Sequence, residues 1–214
     1  MILFKNRLDA GIKLGEKIHL GKDDRNPIVL GIPRGGISVG YPIAVELNCP
    51  LEPITLRKLP IPYNDQMGFG AVTLNKKVML NKKLIDAGYV SKKEVDAIVD
   101  EVYEEVLRRD KLFRGSRPFP DLQGRAVTIV DDGLATGFTM LAAISFAKEN
   151  HALKITCAVP VAHDNAYNLV NHEVDSIICL HIDRGYSFAV ASFYQSFPDM
   201  EDREVISILK KIHR

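Results

Sequence analysis

Two adjacent aspartates follow an apolar run near the middle of the chain. The predicted strand 126–131 is apolar as far as Val130 except for Thr128, and it leads into Asp131 and Asp132. A short apolar run of this kind is typical of a strand that is buried on both faces. Adjacent carboxylates repel a phosphate, but they can hold vicinal sugar hydroxyls or a Mg²⁺ ion. The pair therefore predicts a diol or metal site where this strand ends.

The residues after the aspartates have the composition of a phosphate-binding turn. Small residues and two threonines connect Asp132 to a predicted helix over 138–149. Backbone N–H groups at a helix start, beside a tight glycine turn, bind phosphate, and Thr136 and Thr139 add hydroxyl donors. A ribose 5-phosphate suits both the turn and the acid pair, because its phosphate can bind at the turn and its vicinal hydroxyls can bind to the aspartates. The Walker A loop is excluded, because it requires Gly-Lys-Ser or Gly-Lys-Thr after its spacer.

The elements that must position these residues alternate along the chain. A short helix within 4–18 precedes apolar strands at 28–32, 53–57, 126–131, 154–160 and 175–181, with further helices at 37–47, 138–149 and 164–171. This alternation predicts an α/β fold with a Rossmann-like parallel sheet and helices on both faces. Ligands of such sheets bind at the carboxyl ends of the strands. We expect one domain over 1–214, with its core at about 26–182.

Two segments interrupt the alternation. Prolines, glycines and polar residues over 58–70 predict a loop long enough to suggest function or mobility, with short strands to follow at 71–74 and 77–80. Ser91-Lys92-Lys93-Glu94 is a capping box that opens a helix over 91–114, within a helical insertion at about 81–117. The charges of this helix are more typical of a solvated face than of a nucleic-acid patch.

Composition limits the class of protein further. The 214 residues include 28 Lys and Arg against 27 Asp and Glu, and the net charge of +1 argues against a strongly basic nucleic-acid footprint. The three cysteines are far apart and show no metal-ligand spacing, which favours buried thiols in a reducing compartment. No apolar run approaches a membrane span or a signal-peptide core. We therefore expect a cytoplasmic protein without a membrane partner.

The central motif resembles that of a known family. Residues 127–140 read Val-Thr-Ile-Val-Asp-Asp-Gly-Leu-Ala-Thr-Gly-Phe-Thr-Met, which resembles the phosphoribosyl pyrophosphate (PRPP) signature of type I phosphoribosyltransferases. Residues 31–37, Gly-Ile-Pro-Arg-Gly-Gly-Ile, resemble the pyrophosphate loop of that family, and Arg57-Lys58 resembles the basic end of its next strand. Residues 183–190 resemble its base-side segment. The motif order and the long helix resemble a subgroup of predicted phosphoribosyltransferases.

The resemblance implies a role for each matched residue. Asp131 and Asp132 would hold the ribose hydroxyls, directly or through Mg²⁺, and are the expected metal ligands. Arg34 and Lys58 would bind pyrophosphate together with Gly35, and they are the expected catalytic residues. The 5-phosphate would be bound by Ala135, Thr136, Gly137, Phe138 and Thr139. Phe188 is a candidate for stacking on the acceptor base, although core packing of its ring is equally consistent with the sequence.

The resemblance also implies features around the site. A cis peptide bond would precede Arg34, a mobile lid would span 59–70, and a small hood would form from 1–20 and 183–214. Mg²⁺ would be the cofactor, PRPP and a small acceptor would be the ligands, and members of the family are commonly homodimers. The lid would exclude water while pyrophosphate leaves an oxocarbenium-like ribose.

The acceptor and the role of the protein stay open at this point. Ala135 stands where 6-oxopurine enzymes carry an aspartate, which argues against hypoxanthine and guanine, and no general base is identified. The leading hypothesis is transfer of the phosphoribosyl group from PRPP to a nucleobase or related acceptor. The alternatives are a PRPP-sensing regulator that binds nucleic acid, which the balanced charge disfavours, and a phosphorylase-like or hydrolytic use of the same pocket.

Overall fold

The computed structural model describes residues 2–22, 24–62 and 64–212, with the side chains of 64–67 and 92 outside the description. The elements, in chain order, are α1 (Arg7–Gly15), β1 (Ile28–Gly31), α2 (Gly35–Glu46), β2 (Leu51–Pro53), β3 (Leu56–Ile61), β4 (Asn64–Thr73), β5 (Val78–Leu80), α3 (Lys82–Asp86), α4 (Lys92–Arg114), β6 (Ala126–Val130), α5 (Phe138–Glu149), β7 (Lys154–His163), α6 (Asp164–Asn171), β8 (Ser176–Asp183), a 3-10 turn (Val190–Phe193) and α7 (Asp202–Ile212).

A parallel sheet with helices on both faces forms the centre of the molecule. Its strand order is β2-β1-β6-β7-β8, and every neighbouring pair in it is parallel. Alternate residues of β1 face opposite sides: Ile28 and Leu30 pack in the core that α5 and α6 cover, while Val29 packs with α1, α2 and α7. The Rossmann-like α/β fold predicted from the alternation is therefore confirmed. Within the described residues, no helix is both long and apolar enough to cross a membrane.

The proline- and glycine-rich segment after β2 forms a β-hairpin rather than the predicted loop. β3 and β4 pair antiparallel, and β5 adds a third strand. The prolines are compatible with this sheet because Pro60 lies at a shift in the pairing register and Pro62 follows the last residue of β3. Gly70 faces the carbonyl of Met79, where a Cβ atom would collide. Tyr63 and the side chains of 64–67, all within the expected lid, lie outside the described residues.

The long helix α4 covers the second sheet with a stripe of apolar residues. Val99 and Val106 pack against Leu59, Phe69 and Val72 of the hairpin. The predicted capping box is present, since the Ser91 side chain accepts the Glu94 N–H and the Glu94 side chain accepts the Ser91 N–H. The inserted helix therefore packs on the second sheet through a shared hydrophobic cluster.

A buried arginine joins the end of α4 to the parallel sheet. Arg114 is 2% exposed, and it donates to the Glu52 carboxylate and the Pro53 carbonyl of β2, each at 2.6 Å. Asp110, one turn earlier in α4, also accepts from it, at 3.2 Å. Because β2 adjoins β1, this contact fixes the insertion relative to the strand that leads into the predicted pyrophosphate loop.

The two ends of the chain lie together. The amides of Leu3 and Phe4 donate to the Phe193 carbonyl, and the Gln195 amide donates to the Phe4 carbonyl. Phe4, Phe193 and Tyr194 pack with Val161, near the carboxyl end of β7. The segments expected to form a hood therefore contact each other beside the strand ends where ligands of such sheets bind.

We expect Arg114→Met to lower the free energy of unfolding by about 3 kcal/mol, because it removes the buried one of the arginines that pair with the buried Glu52 carboxylate. Urea denaturation measures the change. The control is Arg117→Met, which removes a 41% exposed partner of the same Glu52 side chain and should cost about 1 kcal/mol or less. Equal losses in the two variants would contradict a special role for the buried arginine.

Candidate functional site

Two turns lie side by side at the carboxyl edge of the parallel sheet. β1 and β6 are neighbours, with Gly31 opposite Val130, and the Ile32 amide donates to the Val130 carbonyl at 2.9 Å. The chain then leaves β1 into the turn before α2, and leaves β6 into the turn before α5. Gly36 permits this proximity, because a Cβ atom there would collide with the Val130 carbonyl. The two motifs are thus brought together by strand adjacency.

The turn before α5 has the geometry of an anion site. Gly137 precedes the helix with φ of 85°, a left-handed conformation that favours glycine, and it has no side chain to cap the first amides of α5. The first turn of α5 carries no acidic residue that would compete for those amides. Ala135 and Thr136 are exposed. The helix start therefore offers N–H donors to an anion from outside the chain.

Pairing with β7 holds the base of this turn. The Leu134 amide donates to the Val161 carbonyl and the His163 amide donates to the Leu134 carbonyl, both at 2.9 Å. Gly133 is packed against Val190, and a Cβ atom there would contact both Val190 methyl groups at 2.5 Å. The turn is thus fixed on one side by β7 and on the other by the C-terminal segment, and its tip remains open.

The turn before α2 contains the cis peptide bond between Pro33 and Arg34 that the resemblance implies. Arg34 is the N-cap residue of α2 and makes no side-chain capping bond. Its guanidinium lies 3.8 Å from the Asp202 carboxylate at the start of α7. Gly35 faces the Asp132 carboxylate so closely that a Cβ atom would overlap it. Any side chain at position 35 would therefore displace one of the two predicted acids.

The paired acids are held in an environment that opposes their charge. Asp131 accepts the Asp132 N–H at 2.8 Å. Burial raises the pKa of Asp131 well above its ordinary value of 3.8, and the neighbouring Asp132 charge raises it further. Burial also raises the pKa of Asp132, but its hydrogen bond and charge contact with Arg7 act in the opposite direction. A cation or hydroxyl donors would therefore stabilise the charged form of both carboxylates.

Arg7 is the site residue that the sequence did not reveal. Its Nε donates to Asp132 Oδ2 at 2.7 Å, and its Nη1 donates to the Pro198 carbonyl at 2.7 Å. Its guanidinium lies 3.6 Å from the centre of the Phe197 ring. The Tyr194 hydroxyl donates to the Asp132 carbonyl at 2.7 Å. Arg7 thus connects α1 and the C-terminal segment to Asp132, which is distant in sequence. No local sequence pattern predicts this pairing.

The structure places Lys58 and Phe188 differently from the other predicted residues. Arg57 and Lys58 lie near the start of β3 in the second sheet, and not at the end of β2, because β2 stops at Pro53. Lys58 is exposed and packs across Gly68 of β4. The Phe188 ring is half-buried, with its centroid 5.7 Å from that of His163 and 5.5 Å from that of Phe193. These two aromatic contacts therefore cover part of the Phe188 ring.

The donor set suits a metal ion that arrives with its substrate. Among the described residues, no group of three or more His, Cys, Asp or Glu side chains forms a metal cage. Asp131 and Asp132 are the adjacent acids at this edge, and Asp132 is already paired with Arg7. Mg²⁺ commonly binds through one or two carboxylates and takes its other ligands from phosphates and water. The residues therefore fit Mg²⁺ with Asp131 as the first protein ligand.

The carboxyl edge of the parallel sheet thus combines a turn with uncapped helix amides, two acids and a second glycine turn. Residues 3–192 match the phosphoribosyl transferase domain, so the chain belongs to that family. It is 34% identical over its full length to two Mycobacterium tuberculosis proteins, from the CDC 1551 and H37Rv strains, curated under the name "Putative phosphoribosyl transferase". The chain spans 48% of the length of those relatives.

Solved structures agree on the fold. The protein TT1426 from Thermus thermophilus is 29% identical, with a TM-score of 0.81 over 98% of this chain and 99% of that one. The purine phosphoribosyltransferase from Pyrococcus horikoshii is 17% identical, with a TM-score of 0.50 over 93% of this chain and 97% of that one. The second likeness concerns the fold alone.

We expect Arg7→Gln to lower the free energy of unfolding at neutral pH by about 2 kcal/mol, because the partly buried Asp132 carboxylate would lose its counter-charge. Loss of Arg7 raises the pKa of Asp132 further, so the deficit should shrink as pH falls and the carboxyl gains its proton. Urea denaturation at several pH values tests this. Lys17→Gln, an exposed position just after α1, is the control, and a pH-independent deficit would contradict the ion-pair explanation.

Asp131→Asn should stabilise the fold at neutral pH. A carboxyl whose pKa is raised in the folded state binds more protons there than in the unfolded chain, so its charge costs stability as pH rises. We expect Tm to rise by about 2–4 °C at neutral pH, as for roughly 1 kcal/mol in a chain of this size. Below pH 3.8, where the carboxyl is protonated in both states, the gain should vanish. The exposed Asp96→Asn change is the control, and a gain that persists in acid would contradict the argument.

Proposed function

We propose that the protein transfers the 5-phosphoribosyl group of PRPP to a nucleobase or a related acceptor, with Mg²⁺ and with release of pyrophosphate. The observation that carries the proposal is the arrangement at the sheet edge. A turn with open helix amides, a pair of acids and a second glycine turn lie next to one another. PRPP presents a phosphate, a diol and a pyrophosphate in one molecule, so each group of the ligand has a partner of suitable chemistry.

The assignment of ligand groups follows from charge. The amides and hydroxyls of residues 135–139 bind the 5-phosphate, because no acid occupies the first turn of α5. Asp131 accepts the ribose hydroxyls or holds the metal, and Asp132 is kept in place by Arg7. Arg34 and Lys58 supply positive charge for the pyrophosphate, and Gly35 lets the pyrophosphate turn approach the acids.

The reaction requires that negative charge on the leaving group be stabilised as it develops. The C1–O bond to pyrophosphate breaks, the ribose becomes oxocarbenium-like, and a lone pair of the acceptor attacks C1. Arg34 and Lys58 interact most strongly with the departing group when its charge is greatest, which lowers the barrier. Mg²⁺, when bound, adds a further positive charge to the pyrophosphate oxygens. The β3–β4 hairpin excludes water, which would otherwise hydrolyse the ribosyl cation.

The acceptor side lies at the carboxyl end of β7. Gly133 contacts Val190 there, and the His163 and Phe188 rings stand beside each other. These apolar and aromatic surfaces suit a planar heterocycle. The alanine at position 135, in place of an acid, favours an acceptor other than hypoxanthine or guanine.

The test is pyrophosphate release from PRPP and Mg²⁺ in the presence of a panel of nucleobases. We expect release that depends on all three components, and a kcat/KM about 100-fold lower in Asp131→Asn, because charged hydrogen bonds to the ribose are lost. Asp96→Asn, an exposed change on α4, is the matched control. Tight PRPP binding without turnover for any acceptor would contradict transferase activity, and absence of PRPP binding would contradict the site.

A further inference from the structure

One histidine stands at the carboxyl end of β7, on the side of the sheet where the acceptor is proposed to bind. His163 is the last residue of β7, and its amide donates to the Leu134 carbonyl of the turn that follows the two acids, at 2.9 Å. Alternate residues of a strand face opposite sides of the sheet. Val161 packs with the terminal segments, whereas Ala162 packs in the core that α5 and α6 cover. His163 therefore lies on the same face of β7 as Val161.

This face of β7 contacts the turn that carries the acids. A Cβ atom at Gly133 would lie 3.1 Å from a Val161 methyl group and 2.5 Å from the Val190 methyl groups. Gly133 follows Asp132 directly, and Val161 precedes His163 by two residues. These contacts hold His163 beside the part of the site where the ribose hydroxyls are proposed to bind. The C1 atom of ribose is bonded to the carbon that carries the 2-hydroxyl, so an acceptor that attacks C1 lies close to these hydroxyls.

The Gly185 carbonyl orients the imidazole ring of His163. The Nε2 atom of His163 lies 3.3 Å from that carbonyl oxygen. A carbonyl oxygen accepts hydrogen bonds and donates none, so Nε2 carries the proton of the neutral ring and Nδ1 keeps its lone pair. The Gly185 amide donates to the Asp183 carboxylate at 3.3 Å, and Asp183 is the register partner of His163 in β8. Asp183 therefore holds the loop whose carbonyl orients the histidine.

The surroundings of the imidazole suit a group that gains a positive charge. His163 is half-buried, and the Phe188 ring stands edge-on to it at an interplanar angle of 67°. The charged and titratable groups of the elements packed against it are His181 and Asp183 of β8, Asp164 of α6, Arg184, and the two acids before Gly133. The Arg184 guanidinium lies 3.7 Å from the Asp164 carboxylate and opposes its charge. The Gly185 carbonyl and Asp183 would then stabilise an imidazolium at position 163.

We propose that His163 is the general base of the reaction and that its Nδ1 atom takes the proton that the acceptor loses, an inference that rests on the proposed function. As the acceptor nitrogen forms its bond to C1, the C1–O bond breaks and its electron pair leaves with pyrophosphate. The N–H proton of the acceptor passes to Nδ1, and the electron pair of that N–H bond remains in the heterocycle. A neutral N–H acceptor becomes positively charged as it attacks, so removal of this proton lowers the barrier.

The pH dependence of kcat/KM for an accepted nucleobase, at saturating PRPP and Mg²⁺, tests the proposal in the wild type and in His163→Gln. Glutamine keeps an N–H donor for the Gly185 carbonyl but has no basic nitrogen. We expect kcat/KM of the wild type to rise between about pH 5 and 8, where histidine loses its charge, and the rise to be absent in the variant. At the upper end of this range the variant should be about 100-fold slower, with an unchanged KM for PRPP. His172→Gln, an exposed histidine after α6, is the matched control and should change neither quantity.

The outcomes separate this proposal from the transferase proposal. Turnover with the same pH profile in the wild type and in His163→Gln would overturn the general base and leave the transfer reaction standing. The pH dependence would then belong to another group, such as Asp131, whose pKa is raised by burial. Imidazole added to His163→Ala at constant pH should restore part of the lost rate, a response that a purely structural role of the side chain would not give. A wild type without turnover for any nucleobase would overturn both proposals.

Discussion

The ion pair between Arg7 and Asp132 holds the site together. It links the N-terminal helix, the end of β6 and, through the Pro198 carbonyl, the C-terminal segment. Asp132 in turn fills the space that a side chain at Gly35 would occupy, so the position of this one carboxylate also fixes the second turn. Without a positive charge beside it, a second partly buried acid next to Asp131 would be costly to ionise. The pair thus allows two adjacent carboxylates to exist at this edge.

The division of roles between the two acids follows from that pair. Asp132 is occupied by Arg7, whereas Asp131 forms no ion pair within the part of the chain that the structure describes and carries the larger upward shift in pKa. A group of this kind costs stability in the empty protein and recovers it when a cation or hydroxyl donors arrive. The turn before α5 also leaves polar groups available, because no side chain caps the first amides of the helix. Asp131 and the first amides of α5 therefore keep binding capacity that a ligand could use.

The inserted helix has two functions in the architecture. Its apolar stripe closes the second sheet, and its buried Arg114 attaches it to β2. Its Glu105 pairs with Arg57 of β3, and Arg109 lies 3.9 Å from Asp202, the acid that also lies 3.8 Å from Arg34 of the pyrophosphate turn. The prediction of a solvated face for this helix is thus correct for Lys93 and Asp96 and incomplete for the last turns, where the hairpin and α7 approach.

The sequence alone was sufficient for the parallel sheet, its helices and the motifs at its edge, because apolar runs, the glycine turns and the capping box are local signals. The predicted loop over 58–70 became a hairpin, because strand pairing tolerates prolines at a register shift, which no local rule reveals. The pairing of Arg7 with Asp132, 125 residues away, and the sharing of Glu105 by Arg57 and the arginines of α4 were revealed only by the tertiary structure. Their contacts depend on how separate elements pack, and charge pairing over such sequence distances leaves no periodic pattern in the chain.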